Sequence, residues 1–257
     1  MAAAAQNIET KEAPGSARNR GRGPVFADLA ALAWPEIEAA LQAYGCATLP
    51  GLLSAAECRQ MTQLYAEDAL FRSRVVMSRH GFGQGEYKYF AYPLPGLIAQ
   101  LRTELYAPLA AIANRWNSAL DIEIRYPESH AAYLDSCHRS GQTRPTPLLL
   151  RYGPGDYNCL HQDLYGAQVF SLQVAILLSE PEIDFTGGAF VLTEQRPRMQ
   201  SRAEVVPLRR GDAVIFPVNH RPVRGTRGWH RVQMRHGVSR LLSGQRHTLG
   251  IIFHDAT

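Results

Sequence analysis

Lysine is nearly absent. Lys11 and Lys88 are the only two in 257 residues, so the formal charge of +4 rests almost wholly on arginine. Cysteine is sparse too: Cys46, Cys58, Cys137 and Cys159 are scattered, which argues against a zinc knuckle or a disulfide framework. No apolar run approaches the roughly 20 residues that cross a bilayer, so a membrane partner is not expected. Met1 to Gln6 is alanine-rich but lacks a basic stretch followed by a long apolar one, so no secretory signal is expected. Reduced thiols and a cytoplasmic location follow as expectations. Internal repeats are absent.

What is present is uneven. Between Arg196 and Arg246 there are 12 arginines against two acids, Glu204 and Asp212. A codon preference accounts for arginine over lysine but not for the clustering. The cluster is either a set of solvated side chains or a surface facing a polyanion such as nucleic acid.

Residues 1–24 carry no apolar periodicity and read as a disordered tail, leaving 25–257 as one domain with a helical part over 25–145 and a β-core over 146–257. Asp28 is expected to cap a first helix running to Tyr44, with Leu29, Leu32, Ile37 and Leu41 at helical spacing and Gly45 as its stop. Ser54 with Glu57 three residues on reads as a capping box that starts a second helix. The aromatic stretch over 81–92 reads as a strand or an ordered loop over a site, with Tyr87, Tyr89 and Phe90 either packing on the core or forming a substrate lid. Leu97 to Leu120 reads as a long helix that Pro108 could break. From Leu148 onward short apolar strands are separated by turn signals: 148–152, 172–178, 189–192, 213–216 and 248–253. That texture predicts a sandwich or barrel rather than a parallel sheet with crossover helices.

The sharpest chemical feature is His161-Gln162-Asp163, placed after an apolar strand and the Gly-Pro-Gly turn that ends at Gly155. Two residues two apart on an extended chain point to one face, so a single metal can touch both. Imidazole plus carboxylate suits Fe(II), and one more histidine completes a facial triad with open positions. His236 is the best candidate. His220 and His230 lie in an Arg- and Gly-rich stretch without strand character, and His254 has no basic residue downstream. His247 would face away from its neighbour Arg246. Arg246, ten residues after His236, would sit on a core strand, where a buried guanidinium needs an anionic partner. A dicarboxylate co-substrate would supply one in fork geometry. Tyr152 and Thr248 could each add a hydroxyl to that site, although a tyrosine on a core strand is often simply packed.

This set of residues resembles the Fe(II)/2-oxoglutarate dioxygenase superfamily. The resemblance covers roughly Leu148 to Asp255, and implies an α+β architecture with a double-stranded β-helix (jelly-roll, cupin-like) core buttressed by N-terminal helices. It also implies Fe(II) on His161, Asp163 and His236, 2-oxoglutarate on Arg246, and O2 as oxidant for hydroxylation of a substrate C–H bond. The entry Thr-Leu-Pro-Gly-Leu-Leu-Ser and the ten-residue gap from His236 to Arg246 are similar to prolyl 4-hydroxylases. Arg151-Tyr-Gly-Pro-Gly155 and Leu160-His-Gln-Asp163 are similar to alkylation-repair dioxygenases. The whole pattern is most similar to a bacterial group of nucleic-acid-type 2OG-Fe(II) oxygenases. It departs from the alkylation-repair pattern at Leu150, where that pattern has Asn, and at Ile252, where it has a second Arg. The acceptor is therefore expected to be an alkylated base, or else a protein residue or small molecule. The reading outside enzymes is a non-catalytic β-sandwich binding module, which would be free to lose part of the set.

Overall fold

The computed structural model describes residues 29–196 and 198–257, so the expected tail over 1–24 and the Asp28 cap lie outside it. Helix α1 spans Trp34–Tyr44, not Asp28 onward, because Pro35 in its first turn starts a helix whose preceding turn, Leu29–Ala31, is a separate 3-10 segment. Gly45 stops it at φ 80°. Strand β1 is Ala47–Leu49 and helix α2 is Ala55–Gln63, opened by the full capping box of Ser54 and Glu57. Strands β2 (Phe71–Val76), β3 (Gly83–Gln84) and β4 (Glu86–Phe90) follow, so the stretch over 81–92 is two strands. Helix α3 (Gly96–Ala119) continues unbroken through Pro108, and α4 spans His130–Arg139.

The second half is all strand: β5 (Leu148–Tyr152), β6 (Tyr157–His161), β7 (Leu172–Leu177), β8 (Phe185–Gly187), β9 (Phe190–Gln195), β10 (Arg202–Val206), β11 (Ala213–Pro217), β12 (His220–Gly225), β13 (Gly228–Val238), β14 (Leu241–Gly244) and β15 (Arg246–Ile251). The Arg- and Gly-rich stretch expected to lack strands is the β12–β13 hairpin, which contains the longest strand described.

All named ladders are antiparallel. One sheet runs β1-β11-β7-β15-β5-β4-β2; the other runs β10-β9-β13-β6-β3, with β12 paired to β13; β14 and β8 pair separately. The part read as helical thus lends three strands to the larger sheet.

Alternation assigns the two faces of the larger sheet. Leu149, Val174, Ile176, Ile215, Leu249 and Ile251 pack in one cluster with Leu101, Leu105, Leu109 and Ile112 of α3. Ala175, Val214 and Phe216 point the other way, clustering with Leu192, Val232 and Met234 of the smaller sheet. This is the expected double-stranded β-helix, covered by helices on one face. Arg102 of α3 pins the chain's last turn to the sheet: fully buried, it donates to the carbonyls of Ile252, Phe253 and His254 and to Asp255 Oδ1. No described helix is long and apolar enough to cross a membrane.

Candidate metal centre and its cavity

His161 ends β6, and the ladder to β13 sets it directly opposite His236. Asp163 lies two residues past the strand end, so the chain's course beyond β6, rather than strand alternation, delivers its carboxylate. Gln162 fixes that course by donating from Nε2 to the carbonyls of Asn219 (3.0 Å) and Met234 (2.9 Å). Gly237, next to His236, lets the strands close: a Cβ there would lie 2.7 Å from the Asn158 carbonyl oxygen.

The three side chains converge. One ligand atom from each lies within 4.8 Å of the others. His161 Nε2 is 3.5 Å from Asp163 Oδ1, and His236 Nε2 is 3.3 Å from Asp163 Oδ2. A first-row divalent ion with bonds of about 2.0–2.2 Å needs separations of about that size. The tautomer suits it as well. His161 Nδ1 lies 2.8 Å from the Cys159 carbonyl, which can only accept, so Nδ1 keeps its proton and Nε2, on the Asp163 side, is the nitrogen left to bind a metal. Tyr165 donates to Asp163 Oδ1 at 2.7 Å, orienting the carboxylate.

The electrostatics follow from burial against pairing. Burial opposes ionisation of Asp163, but the two imidazoles beside it hold its carboxyl well below the usual range. Burial likewise opposes charge on His161, yet Asp163 outweighs it and raises that imidazole. Burial and the charge of His161 push His236 down.

The cluster opens onto a cavity of about 210 Å³ whose walls include Leu148, Leu150, Ala175, Phe190, Phe216 and Val238. Arg246, Tyr152 and Thr248 line it as well. Arg246 is 2% exposed and, among the described residues, meets no carboxylate. Its Nη1 donates to Thr248 Oγ1 at 2.6 Å, its Nε has no partner, and its guanidinium lies over the Tyr152 and Phe185 rings at 5.6 and 5.8 Å. Burial lowers its pKa to about 10. The Tyr152 hydroxyl is fully buried and also lacks a partner. A buried cation flanked by unused donors fits a dicarboxylate co-substrate, and a mixed imidazole–carboxylate donor set fits Fe(II).

His220 and His230 lie on the hairpin outside the cluster. His247 does face away from Arg246, edge-on to Tyr65 at 5.9 Å. Tyr87 lines the cavity, whereas Phe90 packs in the helix-facing core. Sequence reading missed Gln162 and Tyr165 as positioning residues. It also missed Gln173, a lone polar residue in an apolar run.

The arginine cluster divides in two. Arg196, Arg202 and Arg221 surround Glu194, and Arg210 reaches Glu180 and Asp184. Arg224, Arg227, Arg231 and Arg235 are exposed and have no acid partner among the described residues, with Arg224 lying 5.9 Å over the exposed Trp229.

A family model described as "Oxygenase, catalysing oxidative methylation of damaged DNA" matches residues 85–256. An uncharacterized protein of Mycobacterium tuberculosis is 50% identical over 167 residues, 65% of this chain and 72% of that protein. Among solved structures, a prolyl-4-hydroxylase of Pseudomonas putida aligns with TM-score 0.51 and 14% identity over 84% of this chain and 96% of its own. A 2OG-Fe(II) oxygenase family oxidoreductase of Burkholderia pseudomallei gives 0.52 and 15%, over 92% and 99%. A Trichoplax adhaerens prolyl hydroxylase in complex with a hypoxia inducible factor peptide fragment gives 0.53 and 13%, over 86% and 89%. At those identities the structural likeness concerns the fold.

Proposed function

Since the chain belongs to the Oxygenase-NA family, we propose that it is an Fe(II)- and 2-oxoglutarate-dependent dioxygenase that oxidises an alkyl group on damaged nucleic acid. The observation that carries the cofactor part is the shared cavity: the His161–Asp163–His236 cluster and the acid-free, buried Arg246 open onto the same space.

His161 and His236 would hold the iron through Nε2 and Asp163 through its carboxylate, which Tyr165 orients. Arg246, braced by Thr248 and flanked by the Tyr152 hydroxyl, would bind the distal carboxylate of 2-oxoglutarate as a charge-assisted pair. The apolar walls exclude water, which strengthens that pairing and protects the reaction from side chemistry. Iron, 2-oxoglutarate and O2 together supply the oxidising power that hydroxylates an unreactive C–H bond.

The nucleic-acid part rests on the hairpin. Trp229, Arg231, Gln233 and Arg235 alternate with buried Val232, Met234 and His236, so β13 presents basic side chains outward and an iron-ligand candidate inward. At about 3.3 Å per residue, Arg231 lies about 17 Å along the strand from His236. A strand bound through its phosphates there could pass the cavity mouth, with the damaged base unstacked to enter. The four free thiols suit a cytoplasmic setting. The shared larger sheet supports reading 25–257 as one domain.

The test is 2-oxoglutarate consumption with and without methylated single-stranded DNA. Stimulated turnover with release of formaldehyde is expected. Turnover that DNA leaves unchanged, but that a peptide or small molecule stimulates, would refute the nucleic-acid part and leave the cofactor part standing.

A further inference from the structure

Gln173 is the only polar residue of β7, a strand whose every residue is buried. Its carboxamide is 2% exposed and faces the metal side of the cavity. Nε2 lies 3.4 Å from His236 Nε2, the same nitrogen that sits 3.3 Å from Asp163 Oδ2. Oε1 is buried without a partner. Phe216, paired with Gln173 across the β7–β11 ladder, holds its own ring 4.7 Å from the His236 ring. The amide is therefore held in place yet makes only one marginal hydrogen bond.

That bond cannot persist in a metal-loaded site. A neutral imidazole nitrogen has one lone pair, and once it binds a metal it can no longer accept from Gln173. The amide N–H then needs another acceptor at the same place, beside the ion. The co-substrate supplies one. 2-Oxoglutarate carries two carboxylates, whereas Arg246 is, among the described residues, the only arginine or lysine lining the cavity. Ile252, which flanks the Ile251–Val174 ladder pair as Gln173 does, brings no donor.

Resting on the iron assignment above, we propose that Gln173 is the second co-substrate contact, its Nε2 donating to the carboxylate of 2-oxoglutarate that lies at the metal while Arg246 holds the distal one. Gln173 thereby sets the affinity and orientation of the keto acid without contributing to the holding of iron.

The test is an anaerobic titration of the Fe(II)-loaded full-length protein with 2-oxoglutarate, read by the visible charge-transfer absorption of a keto acid chelated to Fe(II). Q173L and Q173M are compared with the wild type, using whichever keeps the wild-type melting curve, and Fe(II) affinity is measured separately without 2-oxoglutarate. A hydrogen bond to a charged group corresponds to a roughly 10- to 100-fold rise in half-saturation, with Fe(II) affinity within about twofold of wild type. Q173E, which sets a carboxylate against a carboxylate, should bind the keto acid more weakly still. An unchanged half-saturation in Q173L or Q173M would overturn the proposal. So would a parallel loss of Fe(II) affinity, which would make Gln173 a support for His236 alone. If the wild type gave no absorption change, the iron assignment itself would fail, and this inference with it.

Discussion

His161 and His236 are direct cross-strand partners on β6 and β13, with ring centroids 4.1 Å apart. That pairing places two imidazoles on one side of Asp163 before any metal arrives. Because Tyr165 and Gln162 hold the Asp163 carboxylate and the intervening loop, their loss should loosen the site without unfolding it. Tyr165→Phe and Gln162→Ala are each expected to weaken Fe(II) binding by roughly 10- to 100-fold, the size found for groups that orient metal ligands. His161→Ala and Asp163→Ala should abolish succinate formation. Metal titration and product assay on folded variants check both.

Arg246 makes opposite contributions in the two states of the protein. Without co-substrate it is a buried cation with no carboxylate partner among the described residues, and such a group costs stability. Arg246→Met should leave the melting temperature of the free protein unchanged or raise it. The same variant should lose the stabilisation that 2-oxoglutarate gives the metal-loaded wild type, about 2.7 kcal/mol at 100-fold excess over Kd. Differential scanning calorimetry with and without 2-oxoglutarate reads both halves. A variant that melts lower but is still stabilised by 2-oxoglutarate would contradict the role.

Acid should weaken the helix-to-sheet junction through His130 and His254. Burial, reinforced by the charge of Arg102, lowers each from 6.5 to about 4. His254 Nδ1 accepts from the Phe170 N–H at 3.2 Å, a bond that protonation there would destroy. The folded-state pKa values lie below the unfolded one, so between about 4 and 6.5 the unfolded chain binds more protons. Stability is therefore full above 6.5, declines as pH falls through that window and levels off near 4 for these two groups. Each histidine contributes a slope of up to about 1.4 kcal/mol per pH unit. Chemical denaturation across the window should show the slope reduced in His130→Gln.

Nucleic-acid affinity should fall with salt, and the slope should depend on the outward arginines. Each phosphate contact removed lowers the magnitude of the log–log slope by about 0.7 for single strands. Arg231→Ala and Arg235→Ala should each do so, because neither has an acid partner among the described residues. Arg196→Ala should do little, since that side chain is already engaged by Glu194.

The fold class and the candidate site residues were legible in the sequence, more so than the course of the individual elements. His161, Asp163, His236 and Arg246 could be read from residue chemistry, order and spacing, and the structure gathers all four around one cavity. The β12–β13 hairpin was not legible, because its outward positions are Trp, Arg and Gln, and glycines at 225 and 228 mask a period-two pattern of only a few apolar residues. Helix α4 was hidden by its polar composition, although Ser129, which caps it by accepting from the Ala132 N–H, was a usable signal. Asp163 reaches the cluster by a loop held at Gln162, a tertiary contact that no local pattern encodes. Gln173 was detectable in principle as a polar residue inside an apolar strand buried on both faces.

In the proposed function, one cavity joins an iron site to a 2-oxoglutarate site. The most direct test of that function is the yield of succinate from 2-oxoglutarate when oxygen is admitted to anaerobic, Fe(II)-loaded protein, measured in the wild type, Asp163→Ala and Arg246→Met. Succinate is expected from the wild type, none from Asp163→Ala, and recovery in Arg246→Met only at much higher 2-oxoglutarate. Folded, iron-loaded wild type that yields no succinate, or an Asp163→Ala variant that yields as much, would contradict that function.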